Sequence, residues 1–155
     1  MAVRTIRTEK EELLRKKSKV VKKFDENLAS LIEDMKETMY LSQGVGIAAP
    51  QVGVLKRVFI VDIGEGPTEF VNPEILEVSG EQFGEEGCLS VPKRYGYVRR
   101  PNFVRMRAQD RYGNFFEIEG EEYMARAMLH ENDHLEGTLF IDKVEGEIVE
   151  ITDND

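Results

Sequence analysis

After Phe24, apolar residues recur at Leu28, Leu31, Ile32, Met35 and Met39 with polar residues between them. Steps of three and four put these side chains on one face of a helix. Asp25 suits its N-cap, and Gly44 lies past its end. The pattern then changes. GVGIAAPQVG (44–53) reads as a loop, because Pro50 cannot sit inside a helix. RVFIVDI (57–63) is a short apolar run of strand type, and EFVNPEILEVSG (69–80) reads as two short strands broken at Asn72-Pro73. Val104, Met106 and Ala108 alternate with Arg105, Arg107 and Gln109, so this strand has one wet face. RYGN (111–114) supplies a turn and FFEIE returns as the hairpin partner. Helical spacing resumes from about Glu121 to Leu135, Gly137 suits the C-cap, and TLFID (138–142) reads as a last short strand. The strands cluster between two long helices instead of alternating with them. That predicts an α+β fold with small antiparallel or mixed sheets.

Length and composition narrow the class. A chain of 155 residues fits a single domain, 1–155, closing in a short acidic tail, EGEIVEITDND. The net charge of -9 argues against a primary nucleic-acid binder. Two basic stretches, RKKSKVVKK (15–23) and the seven Lys or Arg between Lys93 and Arg111, read as solvated surface. The charged start MAVRTIRTEKEE does not resemble a signal peptide, and no apolar run has the roughly 20 residues of a membrane span. The one cysteine, Cys88, cannot form an internal disulfide, which predicts a cytoplasmic protein.

Chemistry concentrates in HENDH (130–134), which fits H-E-x-x-H and uses both histidines of the chain. Tyr123, Ala127, His130 and His134 share one face of the second helix, with Arg126 and Glu131 on its flanks. The two imidazoles can share a metal. Glu131, about 100° around the helix from His130, can reach a water on that metal without ligating it. Asp133, about 60° to the other side, is placed to accept a proton from a ligand histidine and fix its tautomer. A hydrolytic metal site needs a third protein ligand. Phe140, where some H-E-x-x-H enzymes carry a third histidine, cannot serve. Glu145, Glu147 and Glu150 follow with little room for a ligand-bearing helix. Cys88, in EEGCLSVP, is the remaining candidate, and its thiolate is a strong ligand.

GVGIAA has the glycine spacing of a dinucleotide fingerprint, but that motif needs a strand before it and a helix after it. Here a helix precedes and Pro50 follows. Gln51 suggests another use, since a side-chain amide beside a tight loop can donate to a developing oxyanion. Gly44 and Gly46 would let a substrate backbone approach closely.

GVGIAAPQ (44–51), EGCLS (86–90) and HENDH (130–134), in this order, resemble the three signature segments of the peptide deformylase family. The similarity runs from about Phe24 to Val144. It implies a metal-dependent hydrolase that removes the formyl group from the N-terminal formyl-methionine of newly made polypeptides and releases formate. It also implies small sheets packed around a central helix that carries H-E-x-x-H. By the resemblance, Cys88, His130 and His134 bind one divalent metal, most often Fe(II), with Zn, Ni or Co able to occupy the site. Glu131 is then the general acid and base. Gln51 and the backbone N–H of Leu89 hold the formyl oxygen. Val45 and Gly46 flank the peptide, and Tyr123, Arg126 and Ala127 help line the methionine pocket. Asn132 departs from the pattern, which has an apolar residue there. So does Leu129, where glutamine is common, and EELLR (11–15), which replaces a common Asp-Pro-x-Leu-Arg. Many members carry a long C-terminal helix that aids ribosome attachment. The sequence after Val144 holds no such pattern, so ribosome contact is expected to be transient. Two other readings remain: an amidase for a different N-acyl group, and a metal-binding or redox-responsive protein without hydrolysis.

Overall fold

The computed structural model describes residues 2–151. Helix α1 (Glu26–Leu41) begins where Asp25 accepts a hydrogen bond from the Leu28 N–H at 3.1 Å. It buries Leu28, Leu31, Ile32, Met35 and Met39, the stripe its periodicity predicts. Strands β1 (Gly46–Ala48), β2 (Val58–Val61) and β3 (Thr68–Ser79) follow, then β4 (Gln82–Cys88) and β5 (Val91–Arg100). The hairpin β6 (Phe103–Gln109) and β7 (Phe115–Glu121) leads into helix α2 (Tyr123–Leu135), and β8 (Val144–Glu150) comes last. One antiparallel sheet has the order β1-β2-β3-β6-β7 and the other β4-β5-β8. The α+β expectation holds.

The larger sheet lies between the helices. Alternate side chains of a strand face opposite ways. Ile47, Val58 and Ile60 therefore join the α1 stripe in one core, while Ala48, Phe59 and Val61 meet Ala125, Met128 and Leu135 of α2 in another. Burying each large side chain contributes about 1.5–3 kcal/mol, so α2 is clamped on its inner face. At its C-terminus, Gly137 N–H bonds His134 O and Thr138 N–H bonds Asp133 O. This paired closure satisfies carbonyls of the turn that bears the motif.

Three local expectations need correction. The 44–53 segment is not all loop: β1 is followed by a 3-10 turn, Ala49–Val52, with Pro50 in its first turn. Proline is tolerated there because those N–H groups have no helical partner. β3 is one strand, not two. Pairing with β6 shifts register between Val71 and Glu74, and Asn72 takes φ 51. This bulge carries the chain past Pro73 without needing its missing N–H. The segment 138–142 contains a 3-10 turn, Phe140–Asp142, and no strand. The acidic stretch expected as a tail is largely β8, paired with β5. Residues 152–155 of that stretch lie outside the described residues.

Candidate active site

Helix α2 presents His130 and His134 one turn apart, with ring centroids 5.3 Å from each other. Cys88 reaches them from the end of β4, where the pairing with β5 slips between Glu86 and Cys88. Its Sγ lies 3.3 Å from His134 Nε2. One ligand atom from each of Cys88, His130 and His134 falls within 4.8 Å of the others. A thiolate and two imidazoles at this spacing are a donor set that fits a divalent transition metal.

The histidines differ in their surroundings. Burial pushes His134 well below its ordinary pKa, and the positive charges of His130 and Arg100 push it further. It is therefore neutral, the form that ligates. Burial would also lower His130, but hydrogen bonding to Cys88 and Glu86 and the charge of Glu131 hold it well above the ordinary value. His130 Nδ1 lies 2.9 Å from Glu86 Oε1. Burial would raise the Glu86 carboxyl, yet Arg100 and His130 hold it far below the usual carboxylate range. An ionised Glu86 can only accept, so Nδ1 keeps its proton, and Nε2 is the nitrogen that gives up its own proton to offer a lone pair when a metal binds.

The expected partner for a ligand histidine was Asp133. Its carboxylate instead receives Arg100 Nη1 at 2.7 Å and pairs with Lys143 Nζ at 3.0 Å. Helix geometry alone placed Asp133 near His130 but could not show which cations would claim it. Glu86 and Arg100 were not singled out from the sequence. Arg100 donates to both Glu86 oxygens, at 2.8 and 2.9 Å, and is 3% exposed. One signal was available. Glu86 sits two residues before Cys88 on a strand, a spacing that puts both on one face.

Glu131 lies deeper. Its Oε2 is 3.9 Å from His130 Nε2, and burial raises its carboxyl to about 7 despite the positive charge of His130. Such a group can both take and give a proton near neutrality. The glycine loop makes room for it. A Cβ on Gly46 would fall 2.5 Å from Glu131 Oε2, and one on Gly44 would fall 2.8 Å from Leu89 Cδ1. The two glycines thus let the loop close against the motif helix on one side and the Cys88 turn on the other.

Gln51 sits in the 3-10 turn with its Oε1 accepting from Ala48 N–H at 2.9 Å and its Nε2 3.6 Å from Cys88 Sγ. A cleft of about 390 Å³ opens over these groups. Gln51, Leu89, Val45 and Gly46 line it, and so do Tyr123, Arg126 and Ala127. Arg126 does not present a lone charge there. Its guanidinium bonds Glu86, Gly84 O and Gln82 Oε1.

A sequence profile described as Polypeptide deformylase matches residues 3–148. The chain belongs to the peptide deformylase family. A peptide deformylase from Caldicellulosiruptor bescii is 60% identical over 144 residues, 93% of this chain and 87% of that one. One from Clostridium botulinum is 60% identical over 92% of this chain and 97% of its own. The crystal structure of peptide deformylase from Thermotoga maritima matches with TM-score 0.92 at 45% identity, covering 94% of this chain and 100% of that one. This deformylase family is metal-dependent and removes N-formyl groups from nascent peptides, and the chain is an enzyme of that kind. No helix among the described residues is long and apolar enough to cross a membrane.

Proposed function

We propose that Cys88, His130 and His134 hold the metal and that Glu131 moves the protons of deformylation. What supports this reading is one conjunction: three ligand atoms within 4.8 Å of each other beside a buried carboxyl raised to about 7. A bound divalent ion, Fe(II) by family resemblance with Zn, Ni or Co as alternatives, supplies Lewis acidity that polarises the formyl oxygen and acidifies water. Glu131 takes one proton from the attacking water as oxygen adds to the formyl carbon. It returns that proton to the nitrogen as the C–N bond breaks, releasing formate and a free amine. The Gln51 amide and the Leu89 N–H hold the oxygen on which negative charge gathers. Val45 and Gly46 align the peptide backbone, and Tyr123, Ala127 and the Arg126 stem take the methionine side chain. Glu86 keeps His130 in its ligating tautomer.

The whole chain acts as one catalytic domain in the cytoplasm, where a lone ligand cysteine stays reduced. It meets formyl-methionyl chains as they emerge, through transient ribosome contact. The deciding experiment measures formate release from a formyl-Met peptide by anaerobically iron-loaded protein. Release far above that of a Glu131→Gln variant with equal metal content is expected. Equal rates would overturn the assignment of Glu131.

A further inference from the structure

We infer that Ser90 is a positioning residue that aims the Gln51 amide at the formyl oxygen, an inference that rests on the proposed oxyanion role of Gln51. Both residues are almost wholly buried, Ser90 at 0% and Gln51 at 1% exposure, with Gln51 at the wall of the cleft. Ala48 N–H donates to Gln51 Oε1 at 2.9 Å. That contact decides which end of the amide is oxygen, so the NH2 end faces Ser90 and Cys88. Gln51 Nε2 donates to Ser90 Oγ at 3.2 Å and sits 3.6 Å from Cys88 Sγ.

An amide nitrogen has two hydrogens. One is donated to Ser90 and the other to Cys88 Sγ, the longer of the two contacts and so the one a substrate oxygen can take over. Without the hydroxyl, the acceptor in reach is the cysteine sulfur, which is anionic when it ligates. The amide would turn toward that charge and away from the oxygen it must stabilise. Orientation of this kind governs the rate, because donors act only when pre-aimed at the developing charge.

The main chain keeps the two residues at their distance. Arg7 N–H donates to Gln51 O at 2.7 Å, and Glu9 N–H donates to Ser90 O at 2.8 Å. One short segment therefore ties together the backbones of the glycine-loop and cysteine segments.

The test is a double-mutant cycle in the full chain, iron-loaded without oxygen. Ser90→Ala is expected to lower kcat on a formyl-Met peptide about tenfold with KM within about twofold. In a Gln51→Ala background the same change is expected to cost nothing further. A tenfold loss repeated in that background overturns the inference alone. Gln51→Ala with unchanged kcat overturns the oxyanion role and the inference with it. A readout independent of activity and of variant folding is the side-chain 15N–1H pair of Gln51 in the unmodified, metal-free protein. Two well-separated proton signals that exchange slowly with water are expected. A pair with solvent-averaged shifts and fast exchange overturns the inference.

Discussion

His130 Nδ1 and Glu86 Oε1 lie 2.9 Å apart in the buried interior, joining helix α2 to strand β4 across 44 residues of sequence. Glu86 in turn gathers Arg100 and Arg126, and Arg100 passes to Asp133. One carboxylate thus anchors a ligand histidine and pairs with two buried guanidinium groups, and Asp133 supplies the second negative charge. Removing Glu86 takes from Arg126 the carboxylate it pairs with and from Arg100 one of its two, leaving buried positive charge uncompensated. Glu86→Ala is expected to destabilise the protein by about 3–5 kcal/mol. It should weaken metal binding by about 10–100-fold. Denaturant unfolding and a competitive metal titration check the two effects separately. Unchanged metal affinity would remove Glu86 from the site.

Burial of Glu131 carries a pH signature in the metal-free protein. Its folded pKa, about 7, lies above the ordinary 4.5. Below about 4.5 the carboxyl is neutral whether folded or unfolded. As pH rises toward 7 the unfolded chain ionises first, and stability is lost across that window. The loss amounts to about 3 kcal/mol at most. Chelated Glu131→Gln protein is therefore expected to be more stable than chelated parent at pH 8 and equal to it near pH 4. Thermal unfolding at several pH values checks this, and a difference independent of pH would contradict it.

Gly46→Ala should damage chemistry more than folding. The added methyl meets the Glu131 carboxylate 2.5 Å away, so the carboxylate must move. A displacement near 1 Å at a reacting group costs about 100-fold in rate. Overpacking costs about 1–3 kcal/mol. We expect kcat to fall by about that factor while metal content stays at parity. Steady-state kinetics with metal analysis on the same sample decides it.

Asn132 is 8% exposed, and its Oδ1 has no hydrogen-bond partner among the described residues. A buried acceptor left unsatisfied costs about 1–3 kcal/mol. Asn132→Ile is expected to raise stability by about 1 kcal/mol and leave kcat unchanged. A denaturant midpoint that falls would show that the amide is satisfied in solution.

Periodicity and motif spacing already carried much of this protein. The α1 stripe, the β6–β7 hairpin and the paired imidazoles of α2 follow from local geometry, because repeats of 2.0 and 3.6 residues decide which side chains share a face. Cys88 could be nominated because the motif lacked a third ligand and the chain has one thiol. Local rules failed where pairing partners came from far along the chain. β3 continues through Asn72-Pro73 because β6 supplies partners on both sides of the bulge. Asp133 stands on the correct side of α2, yet Arg100 and Lys143 hold it, while Glu86 arrives from another sheet to meet His130. Helical spacing determines where a side chain can point. Which oppositely charged group meets it in the interior is decided only when the two sheets close on α2, since burial makes every ion find its partner at that moment.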